Sequence, residues 1–252
     1  MSDFIHFLNE NGWDMKKELP ENLEDWQQDR WREIDHNMAP QTKIKSYPQF
    51  VTDFLDSIKN LSPTEKIHLI NHFVNTSIQF KDQESCTPED TKPAANIFHE
   101  GEGDCDDFAF VKAELLHKAG LEDVYTVAAT VKYHFKEGSS GAERHSITVT
   151  RNPDDGQFYI LDNLTEEPYK IAKDGFASDA DNLKLPDNQA DGDASMEVID
   201  VTAVAKFSNK GGELKSDIYI QVPLTQKAPA SQPEQQISPE IPPAQKHVSP
   251  SL

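Results

Sequence analysis

Hydrophobic and polar positions fall into two regimes along this chain. Between 47 and 119 apolar residues recur every three or four positions, and from 124 onward they come in short extended runs. The first regime predicts helices over 47–60, 63–78 and 106–119. In the second of these, Ile67, Ile70, Phe73, Val74 and Ile78 form one stripe behind Ser62-Pro63-Thr64-Glu65. Ser62 is placed to cap, Pro63 suits the first helical position, and Glu65 can reach back to complete a capping box. The third helix buries Phe108, Val111, Leu115, Leu116 and Ala119 and ends at Gly120, where a left-handed cap is expected. The second regime predicts strands over 124–133, 145–150, 158–161, 197–207 and 217–222. Helices come first and sheet second, so the expected fold is α+β, with N-terminal helices packed on a mainly antiparallel sheet.

The flanks read differently. All three tryptophans lie within 1–45, and Leu23, Trp26, Trp31 and Ile34 give helical periodicity over 22–38. This predicts a helical arm laid on a main domain at 46–224. Within that domain 173–195 is rich in Asp, Asn and Gly and reads as a surface loop. Residues 225–252 are mostly Pro, Gln, Ser, Lys and Ala; they hold too little apolar surface to offset their ordering entropy and read as a disordered tail.

With 252 residues, 36% of them hydrophobic, the chain can build one generous core. A net charge of -20 excludes the clustered cations that nucleic acid and anionic membranes require. No apolar run is long enough for membrane insertion, and Met1-Ser2-Asp3-Phe4 does not begin a signal peptide, so as written the chain is expected to start in the cytoplasm. Cys86 and Cys105 are the only cysteines, which rules out a disulfide framework and a four-thiolate metal site. The one disulfide they could form would consume the sulfur that matters most.

That sulfur belongs to Cys105, in Gly101-Glu102-Gly103-Asp104-Cys105-Asp106-Asp107. With Asp104 as cap, Cys105 is the first residue of the third helix, where unsatisfied amides and the helix dipole favour an anion and could also serve an oxyanion. Along the strand 145–150, His145 shares a face with Ile147 and Val149, which points it toward the core. A hairpin symmetric about Pro153 and Asp154 sets residues summing to 307 opposite one another, and 145 and 162 are such a pair. His145 would then be the base for a Cys105 nucleophile, with Asp162 orienting it. His134 is the competing base. The acids around the thiol oppose a thiolate, and a hard divalent cation would relieve them, calcium fitting adjacent carboxylates best. Asp104 and Asp106 are the candidate ligands.

Gly103-Asp104-Cys105-Asp106-Asp107-Phe108-Ala109, Lys112, the His145 strand and Leu161-Asp162-Asn163-Leu164 together resemble the bacterial transglutaminase-like cysteine proteinases. The likeness spans roughly 45 to 170. It implies a papain-like or transglutaminase-like core with a Cys105, His145, Asp162 triad, and calcium at the acids beside Cys105. It also implies a protein or peptide substrate, as in family members that act in the periplasm or outside the cell and clip surface adhesins. An acyltransferase or deamidase would use the same triad with another acceptor. A non-catalytic acidic binding module is the alternative from outside enzymology, and thiol reactivity separates it from both.

Overall fold

The computed structural model describes residues 3–17, 25, 28, 46–81, 92–135, 138–171, 195–210 and 213–221. The predicted helices are α2 (Gln49–Ile58), α3 (Pro63–Ser77) and α5 (Cys105–Lys118), each within a few residues of its periodic pattern. Both halves of the capping box at Ser62 and Glu65 are formed, with Pro63 opening the helix. The predicted strands are β4 (Val124–Phe135), β5 (Gly138–Arg151), β6 (Phe158–Leu161), β8 (Ser195–Lys210) and β9 (Glu213–Gln221). Three of them run longer than their apolar cores, because polar residues continue the ladders past the hydrophobic rungs.

Six further elements are too short to carry a period: α1 (Phe4–Glu10), α4 (Ala94–Glu100), β1 (Met15–Lys16), β2 (Gln79–Phe80), β3 (Glu102–Gly103) and β7 (Tyr169–Lys170). The main sheet runs β1-β9-β8-β4-β5-β6-β7 with every neighbouring pair antiparallel. β2 and β3 form a separate parallel pair that leads into α5. The architecture is α+β, as the order of the two regimes requires.

The sheet is buried on both faces. One core joins α2 through α5 to the face carrying Tyr159, Leu161, Ala203, Ala205 and Phe207. The other places Phe4, Ile5 and Leu8 of α1 on the face carrying Tyr125, Val127, Ile147, Val149 and Ile160. Residues 3–17 pack on the domain: α1 covers the second face and β1 pairs with β9. The helix expected over 22–38 lies outside the described residues except at Asp25 and Gln28; the loop over 173–195 (all but its last residue), the tail over 225–252 and Cys86 lie outside them altogether. Among the described residues no helix is long and apolar enough to cross a membrane.

Burial on both faces changes the reading of β5. Ile147 and Val149 face α1, while Thr148 and Thr150, taken from the pattern as the opposite and less buried face, are themselves fully buried against the helical layer. Hydrogen bonds make that burial affordable: Thr148 Oγ1 donates to the Ala109 carbonyl of α5 at 2.7 Å, and Thr150 Oγ1 to the Asp123 carbonyl at 3.1 Å. The nucleophile helix thus lies against the even-numbered face.

Candidate active site

The approach to α5 is set by local chemistry. Gly101 ends α4 at φ 74°, a conformation that side chains disfavour, and the chain then pairs β3 with β2 before turning into the helix. Asp104 caps it, with Oδ1 accepting from the Asp106 and Asp107 amides at 3.1 and 3.2 Å, while Asp107 Oδ2 accepts from the Asp104 amide at 3.3 Å. Gly103 leaves room for this box. A Cβ there would stand 2.7 Å from the Asp107 Cβ, so Gly103→Ala should displace Asp107 and cost about 1–3 kcal/mol. Denaturant unfolding of that variant checks the loss.

Cys105 is the first residue of α5, and its sulfur meets β5. The Ser146 amide donates to the sulfur, and Ser146 Oγ donates to Asp106 Oδ1, tying the first turn of α5 to the strand. The Cys105 thiol lies 3.8 Å from Asp106 Oδ1, to which it donates. Burial, then Asp106 and Asp104, push its pKa well above the ordinary thiol value, and only the Ser146 amide among the larger influences works the other way. Burial and Asp104 likewise push Asp107 up to about 7 against the pull of Lys92. More negative charge is gathered here than nearby cations balance.

His145 and Asp162 meet one residue along β5 from Ser146, whose amide donates to the Cys105 sulfur. His145 Nε2 and Asp162 Oδ1 are 2.8 Å apart, at 8% and 1% exposure. They are not directly opposed across the hairpin. The β5–β6 ladder pairs Thr148 with Leu161 and Arg151 with Phe158, so opposed residues sum to 309 rather than 307. The axis of the hairpin falls between Asp154 and Asp155, one residue later than expected, because Asn152 and Gln157 close the turn and Gly156 takes φ 70°. A slip of two preserves the face, whereas a slip of one would have reversed it. His145 and Asp162 therefore still converge, on a diagonal beyond the last rung of the ladder.

Burial alone would lower the His145 pKa, but the charge and hydrogen bond of Asp162 outweigh it and the net shift is upward. Burial would likewise raise Asp162, yet His145, the Leu164 amide and Lys112 carry the balance downward. The two hold each other charged.

The sequence reading gave no role to the residues that grip the Asp162 loop. From α3, Asn75 Nδ2 donates to the carbonyls of Asp162 and Thr165 at 3.0 and 2.8 Å, and Asn71 Nδ2 to those of Thr165 and Glu166 at 3.0 Å each. The signal was there: two asparagines four apart, beside the apolar stripe Ile67, Ile70, Val74. Of the candidate metal ligands, Asp104 gives Oδ1 to capping and Asp106 gives Oδ1 to Ser146. Among the described residues no group of three or more His, Cys, Asp or Glu is arranged to hold a metal ion. The side chain of His134, the competing base, lies outside the described ones.

Residues 55–177 match the sequence model of the bacterial transglutaminase-like cysteine proteinases, BTLCP. Comparison with curated proteins gives no significant match. Among solved structures, Legionella pneumophila LapG aligns at 19% identity over 54% of this chain and 76% of its own, with a TM-score of 0.39. An EGTA-treated form of LapG aligns at 20% identity over 57% and 78%, TM-score 0.39. Its calcium-bound form aligns at 17% identity over 57% and 80%, TM-score 0.37. Residues 55–177, which carry Cys105, His145 and Asp162, match the bacterial transglutaminase-like cysteine proteinase family, and the chain is a cysteine peptidase of the transglutaminase-like type.

Proposed function

We propose that the protein is an endopeptidase in which Cys105 attacks the scissile carbonyl, His145 moves the proton and Asp162 orients His145. The observation that carries this is the buried 2.8 Å bond between His145 Nε2 and Asp162, made one residue from Ser146, whose amide donates to the helix-end sulfur. With the Nε2 proton committed to Asp162, Nδ1 is the nitrogen that exchanges a proton with the sulfur. As the S–C bond forms, the thiol proton passes to Nδ1 and the carbonyl oxygen becomes an oxyanion. Asp104 occupies the Asp106 and Asp107 amides, so the helix-end donor for that oxyanion is the Cys105 N–H. Collapse breaks the C–N bond, and His145 protonates the departing amine. His145 then takes a proton from water, which attacks the thioester; the S–C bond breaks, a carboxylic acid leaves and the thiol is restored.

A calcium ion is the group this site would take. Asp104 and Asp106 offer hard carboxylate oxygens, and Asp107 beside them is pushed up by burial first and by the charge of Asp104 second. Those two residues would hold it, completed by oxygens other than a third acidic side chain. The ion would supply positive charge at the helix end, and the thiol would lose its proton more readily. The sequence resemblance adds surface adhesins as the protein substrate.

The test is alkylation of Cys105 in a Cys86→Ser background. With calcium chelated, the labelling rate should climb with pH without levelling in the ordinary thiol range. Calcium should move the rise to lower pH by about 1–2 units, and His145→Ala should slow labelling near neutral pH. Labelling indifferent to both would retire the triad and leave a binding module in front; acyl transfer to amines in preference to water would mark an acyltransferase.

A further inference from the structure

Lys112 is fully buried, and its Nζ makes no hydrogen bond. It lies on the same stripe of α5 as Cys105 and Ala109, at steps of four and three residues. That stripe faces β5, since the Ala109 carbonyl receives Thr148 Oγ1, and Thr148 is paired with Leu161, the residue before Asp162. One turn beyond Ala109, the stripe brings Lys112 toward the start of the Asp162 loop. The nearest ring, Phe108, lies 5.9 Å from Nζ and supplies a weak cation contact.

A buried, unbonded lysine is costly, and a methionine of similar volume would avoid that cost. Its position suggests what the cost serves. The charged or titratable groups turned toward the His145–Asp162 pair are Lys112 and Asp106 from α5, with the Cys105 thiol beside them. From α3 the Asp162 loop receives only the neutral amides of Asn71 and Asn75. Lys112 is thus a cation that acts on both members of the pair from the described part of the protein.

We propose that Lys112 is a positioning residue for the peptidase site: a buried counter-charge that keeps Asp162 ionised and keeps His145 able to release its proton. This rests on the triad reading above. Asp162 and Asp106 both favour the imidazolium, and unopposed they would leave His145 a poor proton donor to the amine and rarely neutral enough to deprotonate water. Lys112 opposes them with its own positive charge. The electrostatics agree in direction: burial draws Lys112 down to about 7 while Asp162 resists, and Lys112 in turn lowers both Asp162 and His145.

Lys112→Met tests this with the full chain. The variant should fold with a melting temperature at or above that of the wild type. In it the His145 imidazole, followed by nitrogen NMR, should titrate about one pH unit higher. The acidic limb of kcat should move to higher pH by the same amount with KM unchanged. A folded Lys112→Met variant in which His145 titrates as in the wild type would overturn the proposal. A second arm keeps the lysine and removes the anion: in Asp162→Asn the labelled Lys112 amine should titrate at lower pH than in the wild type, and an unchanged value would overturn it equally. Coupled titrations in a protein whose Cys105 is inert would retire the peptidase reading and leave this coupling standing. An active peptidase with His145 indifferent to Lys112 would do the reverse.

Discussion

Cys105→Ala should leave the protein folded and reduce peptide hydrolysis by at least about 10⁴-fold, to the level that binding and a single oxyanion donor can sustain. In the proposed mechanism the sulfur is the atom that bonds to the substrate, and no other described residue at the helix end offers a nucleophile in its place. The fold should tolerate the change. Asp104, which caps the helix, does not touch the Cys105 side chain through its capping bonds, and the Ser146 tie to α5 runs through Asp106. Circular dichroism and the melting temperature separate lost chemistry from lost structure. Residual hydrolysis near the wild-type rate would place the nucleophile elsewhere.

Asp162→Ala should damage both stability and catalysis. The carboxylate is 1% exposed and accepts from His145 Nε2 at 2.8 Å and from the Leu164 amide at 3.0 Å. Removing it strands a buried donor and a part-buried one and takes away the negative charge that raises Lys112, a loss on the order of 3–5 kcal/mol. The pH dependence has a definite sign. A lowered Asp162 pKa contributes stability above the ordinary carboxylate value and loses it as pH falls through the folded one. A raised His145 pKa contributes stability below the ordinary imidazole value and loses it as pH rises through the folded one. The melting gap between variant and wild type should therefore be widest between about pH 4 and 6.5. Asp162→Asn keeps the volume and should cost less stability, yet kcat should still fall by up to about 10⁴-fold because the imidazole loses its fixed tautomer. A variant as active as the wild type would remove Asp162 from the triad.

The parts legible in the sequence were those with a period or a cap. The helices at 49, 63 and 105 and the five longer strands repeat often enough for pattern to find them, and Asp104 is a strong cap immediately before an apolar stripe. The helix α4 and the two-residue strands were not legible, since two residues alternate once at most. The hairpin register was misjudged by two because Asn152, Asp154, Asp155 and Gly156 allow several turn lengths, and the bonds that select one are tertiary choices. Lys112 stood in the apolar stripe of α5 in plain view. Only the fold shows that it is fully buried.

The stretch matching the family, 55–177, contains β4 through β7 and ends before β8. Yet β4, the longest of those strands after β5, spends one whole side on β8, from Tyr125 opposite Lys206 to His134 opposite Ser195. β8 in turn leans on β9, β9 on β1, and α1 seals the far face through Phe4, whose ring stands 5.2 Å from both Tyr125 and Phe158. Cut at its recognisable boundaries, the sheet would end in a long row of unsatisfied amides and carbonyls with one oily side bare to water, a template for aggregation. The segments 3–17 and 195–221 shelter the middle: the stretch that matches the family and the stretch that completes the sheet are different lengths of chain.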